Sequence, residues 1–553
     1  MCAATVCAVV AMLSLNAPPA PDVPVVPPAP APPVVLTPLN NLQDMFTHGN
    51  GFLMCAMGGV VNTPKGCEPT NSTTQAKFLG RAPSADACAR VCAGFTYRGV
   101  FPCRSWTWFH ADYGNATAAA GWAGLCYARI DDSWGGPAAR PADGAVTSGL
   151  RTDLPDCTSA MQCELNGRCV GGRCACAQGW RGRFCQTLHL LPAKRGAGYH
   201  RPNTTSWGGS IVAPSTSGLA RYQLIVSEFD LHCGFNAWYE VSRIVRASAA
   251  APDGPYTFEE VVKPRFAHGA AVARAPNDGK YLLFHIGDGA EAPVPDALLH
   301  CTNGTTPARV MPRPSYTNCG KPKQVKTRLL VADSVLGPWE NDTVLGCGDE
   351  NPSPHVFADG SAMYLNRYGS LASTNNCTSC PGKFGPIYRA NAATYAGPYS
   401  FDARPLFPGC GDPCVEDSNV YVVPPPPNAS GSYANVNAGS MHALFHGRTH
   451  EIAAGGAEPG WIGRHAWSND SKGETWFMSP YGAFSEYVEW QGGGNTTFST
   501  RERPHVLIEN GLLTHLLSGV QTGPANCLDC SEVGRNRVDD YAYTFVQPIH
   551  SSP

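Results

Sequence analysis

The sequence predicts a mainly β protein whose larger, C-terminal part is a five-bladed β-propeller, with disulfide-rich modules in front of it. Three observations carry this. Gly 59 and Pro 49 in 553 residues suit short strands joined by turns. From residue 198 onward one pattern of short strands recurs five times, at intervals of roughly 60 to 85 residues. The 24 cysteines fall into even blocks: two before residue 10, six from Cys55 to Cys126, six from Cys157 to Cys185 and ten from Cys233 to Cys530. Even blocks argue for disulfides closed within domains, each adding roughly 2 to 4 kcal/mol by constraining the unfolded chain.

Composition narrows the function. A chain this long exceeds one core, so several domains are expected. Only 15% of residues are charged and the formal net charge is −3, so no basic field exists to bind nucleic acid. Cysteine usage and nine Asn-x-Ser/Thr triplets (at Asn71, Asn115, Asn203, Asn303, Asn341, Asn376, Asn428, Asn469 and Asn495) point to an oxidising, secreted or extracellular setting. Residues 3 to 14, AATVCAVVAMLS, are too short to span a bilayer and read as the core of a signal peptide over 1–20. No later segment is apolar enough for a membrane span. Residues 21–49 continue a Pro/Ala/Val stretch, expected to be an extended linker.

Within 50–152, Ser84-Ala-Asp86 caps a helix that puts Cys88 and Cys92 on one face. Strand-like Cys103-Arg-Ser-Trp-Thr-Trp and Leu125-Cys-Tyr follow, then Thr147-Ser-Gly-Leu150. That order resembles the PAN/apple module, which implies a protein or glycan ligand; a disulfide spacer is the alternative. Residues 153–187 carry Cys157-x5-Cys163-x5-Cys169-x4-Cys174-x-Cys176-x8-Cys185 with Gly179-Trp180 and Gly182. This resembles an EGF-like module. The resemblance implies pairing of first with third, second with fourth and fifth with sixth cysteines, and the four-residue gap between Cys169 and Cys174 leaves no room for the pattern of calcium-binding members, so a calcium-independent spacer is expected.

The propeller spans 198–553. Inner-strand segments begin at Gly209-SIVAPSTSGLARYQLIVSE, Gly269-AAVARAPNDGKYLLFHIGD, Pro354-HVFADGSAMYLNRYGS, Ser418-NVYVV and Pro504-HVLIENGLLTHLLSGV. Outer strands share a Gly-Pro-aromatic turn in Arg246-ASAAAPDGPYTFEE, Val331-ADSVLGPWEND and Arg389-ANAATYAGPYSFD. Asp359-Gly360 predicts a two-residue hairpin turn with both residues at positive φ. Ser468-x-Asp470 with Gly473 and Trp476 resembles a sialidase Asp-box, a structural hairpin. Tyr541-AYTFVQPI is expected to close the ring by pairing into the first blade. Cys377-x2-Cys380, Cys410-x3-Cys414 and Cys527-x2-Cys530 are expected to tether loops, with zinc as the competing reading; no metal and no cofactor are expected.

In a propeller, residues just before the innermost strands ring the mouth of the central tunnel. Here those entries are Trp207-Gly-Gly-Ser210, Phe266-Ala-His268, Asp349-Glu350-Asn351-Pro352, Glu416-Asp417 and Arg501-Glu502-Arg503-Pro504. Three of the five entries bring carboxylates, and clustered carboxylates raise one another's pKa, which suits acid and base work on a glycosidic bond. The blade pattern resembles the five-bladed glycoside hydrolases of the family 43 and family 32 type. That resemblance implies a carbohydrate substrate, a base in the first blade, a tuning acid in the second and an acid at Glu350-Asn351-Pro352 in the third. The first two positions hold Ser210 and His268, not carboxylates. Catalysis is therefore expected at Glu350 as acid with Asp417 or Glu416 as base and Glu502 nearby. Ser210, His268, Arg367, His446, Arg448, Arg503 and Trp207 are the candidate sugar contacts. A non-catalytic glycan-binding or adhesion protein is the alternative; a neuraminidase-like enzyme would need Arg367, Arg448 and Arg503 to converge.

Overall fold

The computed structural model describes residues 36–39, 60–63, 66–69, 76–97, 100–109, 125–129, 146–151, 154–306 except 292, 326–347, 349–368, 387–407, 415–423, 439–447, 463–521 and 540–550. Among them no helix is long and apolar enough to cross a membrane.

The N-terminal sheet has five strands in the order Leu36–Leu39, Val146–Arg151, Ser105–Phe109, Leu125–Arg129, Ala76–Arg81. Its helix, Ala85–Gly94, starts where expected, with the Ser84 hydroxyl accepting from the Ala87 amide at 3.2 Å. Cys88 bonds to Cys126 and Cys92 to Cys103, so both helix cysteines staple the helix to the sheet side. Leu36–Leu39 pairs antiparallel with Val146–Arg151. Those residues, expected to be linker, are a strand.

The EGF-like module closes with Cys157–Cys169, Cys163–Cys174 and Cys176–Cys185, the implied pairing. It is not a spacer. Trp180 and Leu188, with three of its half-cystines, pack into the cleft between blades 4 and 5 against Tyr421, Leu444, Phe484, Leu513 and Ile549. A module this short has almost no core of its own, so it borrows one from the propeller. A buried polar chain crosses the same junction. Glu164 lies 2.9 Å from His465 Nδ1, and His465 Nε2 lies 3.1 Å from His442 Nδ1. The Ser479 hydroxyl donates to the other oxygen of Glu164.

The propeller has five blades. Blades 1 to 4 each have four strands. They begin with inner strands Ser206–Val212, His268–Arg274, Asp349–Val356 and Val415–Val422, and each strand pairs with the next in sequence. Blade 5 starts with Thr500–Glu509 and Leu512–Gln521. Neighbouring inner strands are stitched by polar side chains. Ser210 Oγ accepts from the Val272 amide at 3.1 Å, Ser353 Oγ from Val420 at 2.7 Å, and Asn419 Oδ1 from Val506 at 2.9 Å. Each side chain satisfies an amide that has no partner in its own sheet.

The closure differs from the expectation. Ala542–Pro548 pairs with Leu512–Gln521, as the third strand of blade 5, and not into blade 1. Its free edge is covered by the segment entering the propeller, with the Leu191 amide on Pro548 O and the Tyr199 amide on Thr544 O, both at 2.8 Å. Strands from both ends of the domain thus complete one blade and hide the edge. The 357–361 hairpin also differs. Gly360 alone has positive φ, at 84°, because the loop is one residue longer than a two-residue turn and closes through the Phe357 amide on Ser361 O. The Asp-box forms as read: Asp470 accepts from the Lys472, Glu474 and Thr475 amides, and the Trp476 indole donates to Gly473 O. Cys233–Cys301 ties together the connections of blades 1 and 2. The other paired-cysteine motifs of the propeller lie outside the described residues.

Candidate active site

All five inner strands break register with their neighbours at the same place. The pairing skips between Trp207 and Ser210, His268 and Ala271, Glu350 and Ser353, Glu416 and Asn419, and Glu502 and His505. The first skipped residue in every blade is left-handed: Gly208 at φ 61°, Gly269 at 73°, Asn351 at 62°, Asp417 at 55° and Arg503 at 54°. Bulges of this kind re-aim side chains, here into the tunnel axis. For Arg503 the conformation costs about 1 to 3 kcal/mol, strain of the sort that collects at functional sites.

Two rings result. The first is made by the bulge residues themselves. Asn351 donates to Asp417 Oδ1 and Arg503 donates to Asn351 Oδ1, while Arg503 Nε lies 3.4 Å from Asp417 Oδ1. Blades 1 and 2 contribute only glycine, and the Arg503 side chain fills the room they leave. Gly269, Asn351, Asp417 and Arg503 line a small central cavity to which all five blades contribute. Ser210 sits in its wall, its hydroxyl committed to Val272.

The second ring holds the residue before each bulge: Trp207, His268, Glu350, Glu416 and Glu502. Of these, Glu416 and Glu502 meet at His446, whose Cα pairs with that of Glu416 across blade 4. His446 Nε2 lies 3.3 Å from Glu416 and 3.6 Å from Glu502, and its Nδ1 lies 3.1 Å from Asp417. Arg367, from blade 3, donates to the other oxygen of Glu416. Thr500 donates to Glu502 at 2.8 Å. Acids from blades 4 and 5, far apart in sequence, thus meet around one imidazole.

The electrostatics follow from burial and these pairings. Burial alone would deprotonate His446, but the fields of Glu502 and Asp417 and its bonds to Asp417 and Glu416 hold its pKa well above the ordinary value. Burial pushes Asp417 up, yet Arg503 and His446 outweigh it and hold the carboxyl well below the usual range. Glu502 is raised to about 6, by burial first and by Asp417 and Glu416 after it, with His446 opposing. Asp417 is therefore a fixed anion and Glu502 a group that exchanges its proton near neutrality.

The remaining candidates lie elsewhere. Trp207 is 2% exposed, its ring centre 4.3 Å from that of Phe235 and its face against Gly519, so no face is free for a sugar. His268 is equally buried, with Nδ1 2.7 Å from Ser242 Oγ, and burial with the charge of Arg503 holds its pKa well below the ordinary value. Its ring packs under Trp238, with centres 4.9 Å apart. The Glu350 backbone pairs with Arg367, and its side chain lies outside the described residues, as does Arg448. Arg367 and Arg503 are both engaged with carboxylates, so they do not form an open clamp for a substrate anion.

Two residues were not legible in advance. Arg501 does not pair with Glu502; its guanidinium donates to Ser485 O and Ser518 Oγ and stacks on Phe484 and Phe545. Glu486, in the connection between blades 4 and 5, is 6% exposed, and burial followed by the charge of Glu502 raises it to about 8. The signal was an acid inside the apolar run Ala483-Phe-Ser-Glu-Tyr-Val488, a place where ionisation is costly.

Ligand atoms of Glu416, Asp417 and His446 lie within 4.8 Å of one another, close enough for a cation. Arg367, Arg503 and the imidazolium already meet those carboxylates, so the donor set does not fit a metal ion.

The Teneurin-like EGF domain family matches residues 160–187. Among solved structures, the catalytic domain of a Coprinopsis cinerea GH62 α-L-arabinofuranosidase is 11% identical with a TM-score of 0.39, covering 68% of this chain and 97% of that one. A GH43 β-xylosidase/α-arabinofuranosidase from a compost microbial metagenome is 12% identical with a TM-score of 0.35, covering 66% and 94%. A thermostable family-43 glycoside hydrolase is 12% identical with a TM-score of 0.31, covering 49% and 76%. No curated protein matches the chain.

Proposed function

We propose that this is a secreted glycan-processing enzyme that hydrolyses glycosidic bonds at the mouth of its propeller. The observation supporting it is the meeting of Glu416 and Glu502 at one nitrogen of His446. Hydrolysis needs one carboxyl group that carries a proton to the leaving oxygen and one carboxylate on the other side of the sugar. Glu502, raised to about 6, is the acid. Glu416, held by Arg367 and His446, is the carboxylate that acts as base or nucleophile. Asp417 holds His446 in place, and Arg503 and Asn351 hold Asp417. Glu350, at the same rim by its backbone pairing with Arg367, is a second candidate acid. The disulfides and the EGF-like module agree with an extracellular location, and the N-terminal sheet is the PAN/apple-like module that takes a protein or glycan ligand.

A second reading, a glycan-binding protein without turnover, is favoured by the glycines that stand at the bulges of blades 1 and 2, where no acid reaches the axis. One experiment separates them. Aryl glycosides and oligosaccharides are offered to the wild type and to Glu502→Gln, Glu416→Gln and Glu350→Gln. Hydrolysis lost by 100-fold or more in the first two supports the enzyme, that being about the scale of one general acid or base. No turnover of any substrate by the wild type leaves the binding protein.

A further inference from the structure

The strands that carry the carboxylates begin at the mouth, and the connection between the second and third strands of blade 1, Asp230 to Val241, returns across the same end. That connection is held hard. Cys233 is bonded to Cys301. The amides of Phe235 and Asn236 bond to Asp540, both at 2.9 Å, and the Gly234 amide bonds to Thr306 Oγ1 at 3.1 Å. On it stand Trp238 and Tyr239, which meet Phe266 at the entry to blade 2. Ring centres are 6.0 Å apart for Trp238 and Phe266 and 4.8 Å for Tyr239 and Phe266. All three rings are partly exposed. Beneath them, Trp238 rests on buried His268 at 4.9 Å, and His268 lies in the field of Arg503 and Asp417. Trp238 is therefore separated from the Arg503 and Asp417 charges by one buried imidazole. Along one edge runs an ion pair, Arg265 to Asp230 at 3.1 Å.

We propose that Trp238, Tyr239 and Phe266 form a sugar-stacking shelf, a subsite that holds one ring of a neutral oligosaccharide beside the Glu416–Glu502 pair. Trp238 and Tyr239 stand edge to face at 84°, so the C–H face of a sugar ring stacks on one of them with the other at its side, and the Arg265–Asp230 pair offers a donor and an acceptor to its hydroxyls. A shelf pinned by a disulfide and backbone bonds loses little freedom on binding, so its contact energy appears as affinity. The proposal rests on the carbohydrate reading of the site but not on turnover.

The test is binding of cello-, xylo- and arabinotetraose to the full chain, read by calorimetry and tryptophan fluorescence. At least one tetraose should bind, with affinity falling about tenfold in Trp238→Ala and severalfold in Tyr239→Ala, which leaves the packing on His268 intact. Circular dichroism and the thermal midpoint identify any variant that fails to fold, and Tyr239→Ala then carries the comparison. Equal binding by wild type and folded variants overturns the shelf, and so does wild type that binds none of the three. A tetraose that binds at the shelf, with no turnover of any aryl glycoside or oligosaccharide in the panel, overturns the hydrolase and leaves the shelf standing.

Discussion

Arg503 of the fifth blade lies over Gly208 of the first: a Cβ at residue 208 would come within 3.0 Å of the Arg503 Cβ and 3.1 Å of its Cδ. Gly269 of the second blade faces the guanidinium end, its Cβ position 3.0 Å from Arg503 Nη1. Two blades lack an axial side chain and a third supplies one long enough for all three.

Gly208→Ala should therefore be costly twice, through the left-handed backbone at φ 61° and through the collision with Arg503. The expected loss is about 1 to 3 kcal/mol in denaturant unfolding. A variant as stable as the wild type would show that Arg503 does not occupy that space.

Removing the guanidinium should be worse. Arg503→Met leaves the Asp417 carboxylate, 3% exposed at its side chain, with His446 as its remaining cation. Removing one partner of a buried ion pair costs about 3 to 5 kcal/mol. The double variant Arg503→Met/Asp417→Asn should regain most of it, and a double-mutant cycle with additive losses would refute the coupling.

Glu502 sets an alkaline limit. Its pKa, raised to about 6 from an ordinary 4.5, means that an activity needing its proton falls as pH rises through about 6. His446 opposes that rise, so His446→Asn should move the limit to higher pH. The profile of kcat/KM against pH checks this. Carbon NMR of the labelled carboxyl reads the same shift without turnover. For stability the sign is the same, since the folded chain holds this proton more tightly. Its contribution is lost as pH rises from about 4.5 to 6.

The junction of the EGF-like module and blade 4 should be acid-labile. Burial lowers His442 to about 3 and, with His442 as neighbour, lowers His465 well below its ordinary value. Both therefore favour the folded state above pH 6.5 and lose that contribution as pH falls. Burial raises Glu164, which works in the opposite direction. As pH falls below about 6.5 the unfolded chain protonates both imidazoles while burial keeps them neutral in the folded chain, and the proton favoured on buried Glu164 offsets part of this, so stability should fall with pH. Calorimetry from pH 7 to 4.5 checks it; a midpoint that stays level would refute it.

Trp180→Ala tests whether the module is part of the propeller. The side chain is 6% exposed and packs between blades 4 and 5. Its loss should cost about 3 to 5 kcal/mol and lower the unfolding midpoint of the whole propeller. Two separate transitions, only the smaller one shifted, would mean an independent module.

Local chemistry made much of the fold readable in one dimension. Half-cystine spacing marks the EGF-like module because a span that short needs its staples. The Ser84 cap, the Asp470 box and the recurrence of strand, turn and strand are all contacts between residues near in sequence. What stayed illegible is what depends on residues brought together from far apart. Ring closure by the 190–199 segment, the wedging of Trp180 between blades, the burial of Trp207 and His268, and the isolation of Glu486 beside Glu502 all involve partners from different blades or modules. The carboxylates at Glu416 and Glu502 could be named from the strand entries alone, since five equivalent strands place equivalent residues at one end. Only the closed ring made their charges meet at His446, and only the glycines opposite let Arg503 reach across the axis, because electrostatic energy and van der Waals space depend on distance in the folded molecule and not on separation along the chain.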